Sequence, residues 1–247
     1  MTTTAVGMRC PECARQTTKV RKIRAVTTHG YRATQALIAI NVIAFFAEGS
    51  SAYTFSGASP NSWLLSHGWL DAIQVHLSHD YWRILTSGFL HFSIIHILSN
   101  MYVLYWVGRL LEPAIGTRRF VAIYFTGLLA GSLGVLAISP HSVTVGASGA
   151  IFGLMGAAFT EAQRRGIDQV RNQLVILIVI NLALTLSLPN ISIGAHLGGL
   201  IGGGLATLGF QQGDRSRLRW LGWGICAALA VVAVVGSIIA ADQVSGM

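Results

Sequence analysis

Residues 92–111 read FSIIHILSNMYVLYWVGRLL, a stretch without acids whose one basic residue, Arg109, stands near its end. Its length matches the roughly 20 mostly apolar residues that a helix needs to cross a bilayer. Its polar residues follow a helical period: His96 and Asn100 are four apart and share one face. Six further stretches have the same character, at about 34–53, 120–138, 144–160, 172–188, 192–210 and 219–241. The sequence therefore predicts an all-α polytopic membrane protein with seven spans. Composition agrees, since 53% of the 247 residues are hydrophobic and only 11% are charged, where a soluble domain carries about a quarter charged residues. Seventeen Lys and Arg against nine Asp and Glu leave a net charge of +8, but the basic residues fall in short runs between apolar stretches. That pattern excludes a nucleic-acid-binding face and orients a chain in a bilayer.

The orientation follows from the preference of Lys and Arg for cytoplasmic loops. Lys19, Arg21, Lys22, Arg24 and Arg32 precede the first span. Its apolar run exceeds the roughly 7–15 residues of a signal peptide, so it reads as an uncleaved anchor. Arg109, Arg118 and Arg119 follow the second span, Arg164, Arg165 and Arg171 the fourth, and Arg215, Arg217 and Arg219 the sixth. The N-terminus and these loops are placed in the cytoplasm. Segment 54–91 falls on the external side, and its Trp63, Trp69, Tyr81 and Trp82 suit the headgroup region. The three cysteines, Cys10, Cys13 and Cys226, imply no disulfide framework.

Polar residues inside spans are costly and mark function. The second span carries His96 and Asn100, the fourth opens with Gly146-Ala-Ser148-Gly149, and the sixth opens with Gly194-Ala-His196-Leu-Gly198-Gly199. All three spans begin on the external side. At about 1.5 Å per residue, Ser148, His196 and His96 lie roughly 6–8 Å below that surface, with Asn100 one turn deeper. A serine hydroxyl becomes a nucleophile when a neutral histidine accepts its proton, and the oxyanion that forms needs donors. His196 is the expected base; His96, Asn100 and the backbone N–H of Ser148 are the expected donors. None of the acids shares this depth, so a Ser–His dyad fits better than a triad. Gly149, Gly153 and Gly156 in span four, and Gly194, Gly198 and Gly202 in span six, supply small surfaces for close helix approach. His91 reads as structural. A zinc site of His91, His96 and His196 is the competing chemistry, but the glutamate of a His-Glu-x-x-His metalloprotease is missing.

With His91-x4-His96-x3-Asn100, Gly146-Ala-Ser148-Gly149 and Ala195-His196-x2-Gly199, the chain resembles the rhomboid family of intramembrane serine proteases over about residues 34–210. Trp82-Arg83 and Glu112-x3-Gly116 also look like family features. The resemblance implies a six-helix bundle around a water-accessible cavity, transmembrane proteins as substrates, and no cofactor. It also implies a mobile fifth helix with an external cap loop, and an aromatic at Phe152 packed on the catalytic histidine. Residues 1–33 are then a cytoplasmic tail, 34–210 the protease domain, and 211–247 a cytoplasmic loop with a seventh helix outside the family core. Cys10-Pro-Glu-Cys13 is similar to half of a zinc ribbon found before some bacterial members, short of the four ligands a structural site requires. Two other functions compete: an inactive rhomboid-like protein that binds transmembrane clients, and a transporter. The polar cluster lies near one face rather than at the midplane a transporter uses.

Overall fold

Caps and glycines decide where this chain turns. The computed structural model describes residues 2–4, 7–9, 30–49, 62–187 and 191–244. In chain order it contains β1 (Thr2–Thr4), β2 (Gly7–Arg9), α1 (Arg32–Ala47), α2 (Trp63–Gly68), α3 (Ala72–Leu77) and α4 (Arg83–Thr86). A 3-10 turn at Ser87–Phe89 leads to α5 (Ile94–Ile115), α6 (Thr117–Ile138), α7 (Ser148–Arg165), α8 (Asp168–Ser187), α9 (Ile193–Arg215) and α10 (Arg219–Val244). The seven long helices account for the expected all-helical architecture. The two three-residue strands, paired antiparallel with Thr2 opposite Arg9, were not expected. Cys10 and Cys13 lie outside the described residues.

Ser93 opens α5 by accepting the His96 N–H at 3.2 Å, and Ser192 opens α9 by accepting that of Ala195 at 3.3 Å. Gly116, at φ 87° and therefore in a region that side chains disfavour, is the single residue between α5 and α6. Buried Glu112 reaches from α5 to the start of α1. Its carboxylate accepts the N–H groups of Ala33 (3.0 Å) and Thr34 (2.8 Å) and the hydroxyls of Thr34 (2.7 Å) and Thr117 (2.8 Å). It caps a helix whose own N-cap residue, Tyr31, supplies no side-chain acceptor.

Backbone contact holds α6, α7 and α9 together. A Cβ on Gly199 would strike the carbonyl oxygen of Gly149, one on Gly203 that of Gly153, and one on Gly194 that of Gly134. Gly127 and Gly131 of α6 face Gly153 and Gly149 of α7, with Cβ positions 2.9 and 3.0 Å from the opposing Cα atoms. The sequence reading paired the glycines of α7 and α9 and overlooked those of α6. The seventh helix, α10, packs on α6 and α9, where Phe210 and Trp223 meet edge to face at 5.1 Å. At its far end Asp242 pairs with His76 of α3 at 2.8 Å.

Among the described residues, five helices are long and apolar enough to cross a membrane: α5, α6, α8, α9 and α10. The sequence reading expected seven. α1 has 16 residues because it stops at Ala47, before Gly49 at φ 83°, instead of running to residue 53. α7 has 18, and its last turns carry Glu161, Arg164 and Arg165. Those charges belong to a network at the end of the bundle opposite Ser148. Glu161 binds Arg164 and Arg165, and Arg119 grips Asp214 through two bonds of 2.6 and 2.7 Å.

Candidate active site

Ser148 is the first residue of α7. The sequence reading began this helix at residue 144, but Thr144 instead pairs with Leu70 through backbone bonds of 2.9 and 3.0 Å. The Gly146 N–H donates to the Ser87 carbonyl at 2.9 Å. A segment held in this ladder cannot be helical, so the helix starts four residues late and inside the bundle. Ala147 caps it without a side-chain acceptor. The first N–H groups of α7 consequently lack intrahelical partners and point from the positive end of the helix dipole. Gly146 is required as glycine twice over: its φ is 127°, and a Cβ there would lie 2.7 Å from His96 Nε2 and 3.9 Å from Asn100 Nδ2.

The two residues of α5 therefore face the approach to Ser148. Asn100 is buried and donates its amide to the His96 carbonyl at 3.0 Å. His91, just before the helix, is fully buried. Its N–H donates to the Glu48 carboxylate at 3.1 Å, and its ring stands edge-on to that of His96 at 5.0 Å. Glu48, at the end of α1, thus anchors the turn that leads into His96; nothing in the sequence pattern singled it out. Arg83, also buried, donates to the carbonyls of Ser66 (2.9 Å) and Trp69 (3.1 Å) and to the Asp80 carboxylate (2.9 Å). It gathers α2, α3 and α4 into one cap beside the site.

His196 sits one turn into α9 and is 6% exposed. Phe152, one turn after Ser148, stacks on its ring with centroids 4.1 Å apart and planes at 13°. Backbone contacts bring the two helices together here, since Gly149 abuts the Ala195 carbonyl and Gly199. Ser148 and His196 share no hydrogen bond in this arrangement, whereas His196 Nδ1 lies 2.7 Å from the Thr185 hydroxyl of α8. The sequence reading sought a partner for this histidine among the acids and found none. Thr185 was missed, although a threonine four residues after Asn181 in an apolar span was a visible signal. A cavity of about 20 Å³, room for a single water, adjoins the site between Ser87, Ser132, Thr144, Gly146, Gly149 and Ala195. Among the described residues no three His, Cys, Asp or Glu side chains cluster as a metal site.

Comparison with known proteins bears on this constellation. A family model described as the Rhomboid domain matches residues 78–212, more than half of the chain. The chain belongs to the rhomboid family. The match runs from the end of α3 through most of α9 and so contains His91, His96, Asn100, Ser148, Phe152, Thr185 and His196, while Glu48, Ser66, Trp69 and Leu70 precede it. Among relatives, the rhomboid protease GluP of Bacillus subtilis is 33% identical over 210 residues, covering 80% of this chain and 39% of its own length. RHOMBOID-like protein 2 of Arabidopsis thaliana is 36% identical over 165 residues, 65% of this chain and 51% of that one. Rhomboid-like protease 1 of Toxoplasma gondii is 30% identical over 159 residues, 61% and 54% of the two chains. This rhomboid thus spans between about two fifths and somewhat over half of the length of these relatives.

Proposed function

We propose that this rhomboid is an intramembrane serine endopeptidase that cleaves transmembrane proteins within or near their spans. The observation that carries the reading is the backbone junction at Gly149, Ala195 and Gly199, which puts the N-terminus of α7 beside the turn of α9 that bears His196. Ser148 Oγ forms the bond to the scissile carbonyl carbon while its proton passes to His196 Nε2, and the carbonyl π pair moves onto oxygen. The resulting oxyanion is met by the Ser148 N–H at the positive end of α7, with His96 and Asn100 as side-chain donors from α5. Collapse of the intermediate breaks the C–N bond, and the proton on His196 leaves with the amine. Water then repeats the sequence on the acyl-enzyme. No cofactor enters these steps. The helices form the six-span family core, α1 and α5–α9, with α10 added against α6 and α9. The N-terminus and the Arg119–Asp214 end face the cytoplasm of a cell membrane, and the site opens externally.

Labelling with a fluorophosphonate probe, followed by cleavage of a transmembrane substrate in proteoliposomes, tests this reading. Ser148→Ala abolishes both, and His196→Ala reduces both severely, in protein that remains folded. Undiminished cleavage by folded Ser148→Ala refutes it. Absence of labelling and cleavage in the folded wild type would leave a client-binding rhomboid instead.

A further inference from the structure

The Thr185 hydroxyl lies 2.7 Å from two atoms at once, the Asn181 carbonyl oxygen one turn earlier in α8 and His196 Nδ1 in α9. A hydroxyl has one proton to give. A carbonyl oxygen can only accept, so the short contact to Asn181 consumes that proton, a bond that threonine commonly makes inside helices. The lone pairs of the hydroxyl then face Nδ1, which must be the protonated nitrogen of the ring. A neutral imidazole carries one N–H, so Nε2 is left with its lone pair. Both groups are buried, Thr185 at 5% and His196 at 6% exposure, and water does not compete for the bond. The face of the ring is fixed independently by Phe152.

We infer that Thr185 is the positioning residue of this rhomboid, holding His196 in the Nδ1–H tautomer that frees Nε2 to take the proton of Ser148. The inference rests on the serine-protease reading and adds to it a third member that is a hydroxyl, supplied by a helix outside the α6–α7–α9 junction. When Nε2 is protonated, the Nδ1–H bond to Thr185 becomes charge-assisted and shortens, so the hydroxyl stabilises the imidazolium as well as the tautomer. The bond is also the sole hydrogen bond between α8 and α9 among the described residues. The base is therefore in register only while α8 is seated, and displacement of α8 releases it.

Thr185→Val keeps the shape and deletes the hydroxyl; Thr185→Ser keeps the hydroxyl. In the full chain reconstituted with a transmembrane substrate, Thr185→Val lowers kcat roughly ten- to a hundredfold, less than the roughly 10²–10⁴-fold that a general base itself contributes because His196 remains, while KM stays within about twofold because the hydroxyl does not touch substrate. Thr185→Ser restores kcat to within a fewfold of wild type. Equal kcat for wild type and Thr185→Val overturns the inference, as does failure of serine to rescue a folded protein. The tautomer is read without any variant at Thr185 from the 15N spectrum of histidine-labelled wild type, with the His196 signals assigned by their loss in His196→Gln. A bare Nδ1 and protonated Nε2 also overturn it. If wild type shows no Ser148-dependent cleavage, the protease reading fails, and the tautomer measurement still decides the geometry.

Discussion

α7 and α8 are joined by only Gly166 and Ile167, yet they lie at opposite extremes of burial. α7 buries twelve residues, among them Gly149, Gly153, Gly156 and Phe152, and does not qualify as a span by length and composition. α8 qualifies, but it buries only Leu174 and Thr185 and turns Ile176, Val179, Ile180 and Leu186 outward. In a bilayer, apolarity does not drive helices together, because lipid is as good a neighbour as leucine; close backbone approach and internal polar bonds do. Glycines therefore lock α7 into the bundle, and α8 leans on it through few contacts. The rigid member carries Ser148, and the loosely held one reaches His196.

Several experiments break or sharpen this contrast. The largest effect is expected at the junction. Gly203→Val drives a branched side chain into the Gly153 backbone, where nothing can yield. The cost is about 3 kcal/mol or more, and the variant loses its cooperative melting transition in detergent. A melting temperature like that of wild type would remove the junction from the explanation. Phe152→Ala takes away the ring stacked on His196 and opens a void in a close-packed helix, a loss of about 3 kcal/mol. On the proposed mechanism it also reduces cleavage more than melting predicts, since the ring of His196 loses its lateral support. If cleavage and stability fall in proportion, Phe152 serves packing alone.

Hydrogen exchange separates the two helices without mutation. Backbone amides in the middle of α8 exchange at least about tenfold faster than those of α7, because the low-stability elements of a fold open locally. Equal protection would mean that α8 is seated as firmly as α7. The smallest effect is expected on the outer face of α8, where Leu184→Ala, at a site 50% exposed, changes stability by less than about 0.5 kcal/mol. A larger loss would show that this face meets protein rather than lipid.

Much of the site was legible because each polar residue stood out against an apolar run. His96 and Asn100, Ser148, and His196 were noticed as costly residues near those ends of their spans that the loop charges place outside. Glu48 was not, because it follows the last apolar residues of α1 and resembles an ordinary boundary acid. Thr185 escaped for a related reason: a threonine in a span is satisfied by its own helix in the usual case, and Asn181 provides that bond here. Its second partner comes from another helix. The start of α7 was misplaced because the β-bridge between Leu70 and Thr144 joins segments more than 70 residues apart, and local apolarity contains no trace of it.

The sequence by itself determined the helical, membrane-embedded class, the approximate spans, the small-residue stripes and the polar side chains that stand out within them. These depend on hydropathy, helix rise and residue size, which are local properties. Only the tertiary structure decided which stripes meet, that α6 enters the junction with its own glycines, that Ser148 begins a helix, and that a hydroxyl of α8 meets Nδ1 of His196. Those outcomes depend on how seven helices share a limited number of close approaches. A helix carries the same face whichever neighbour receives it.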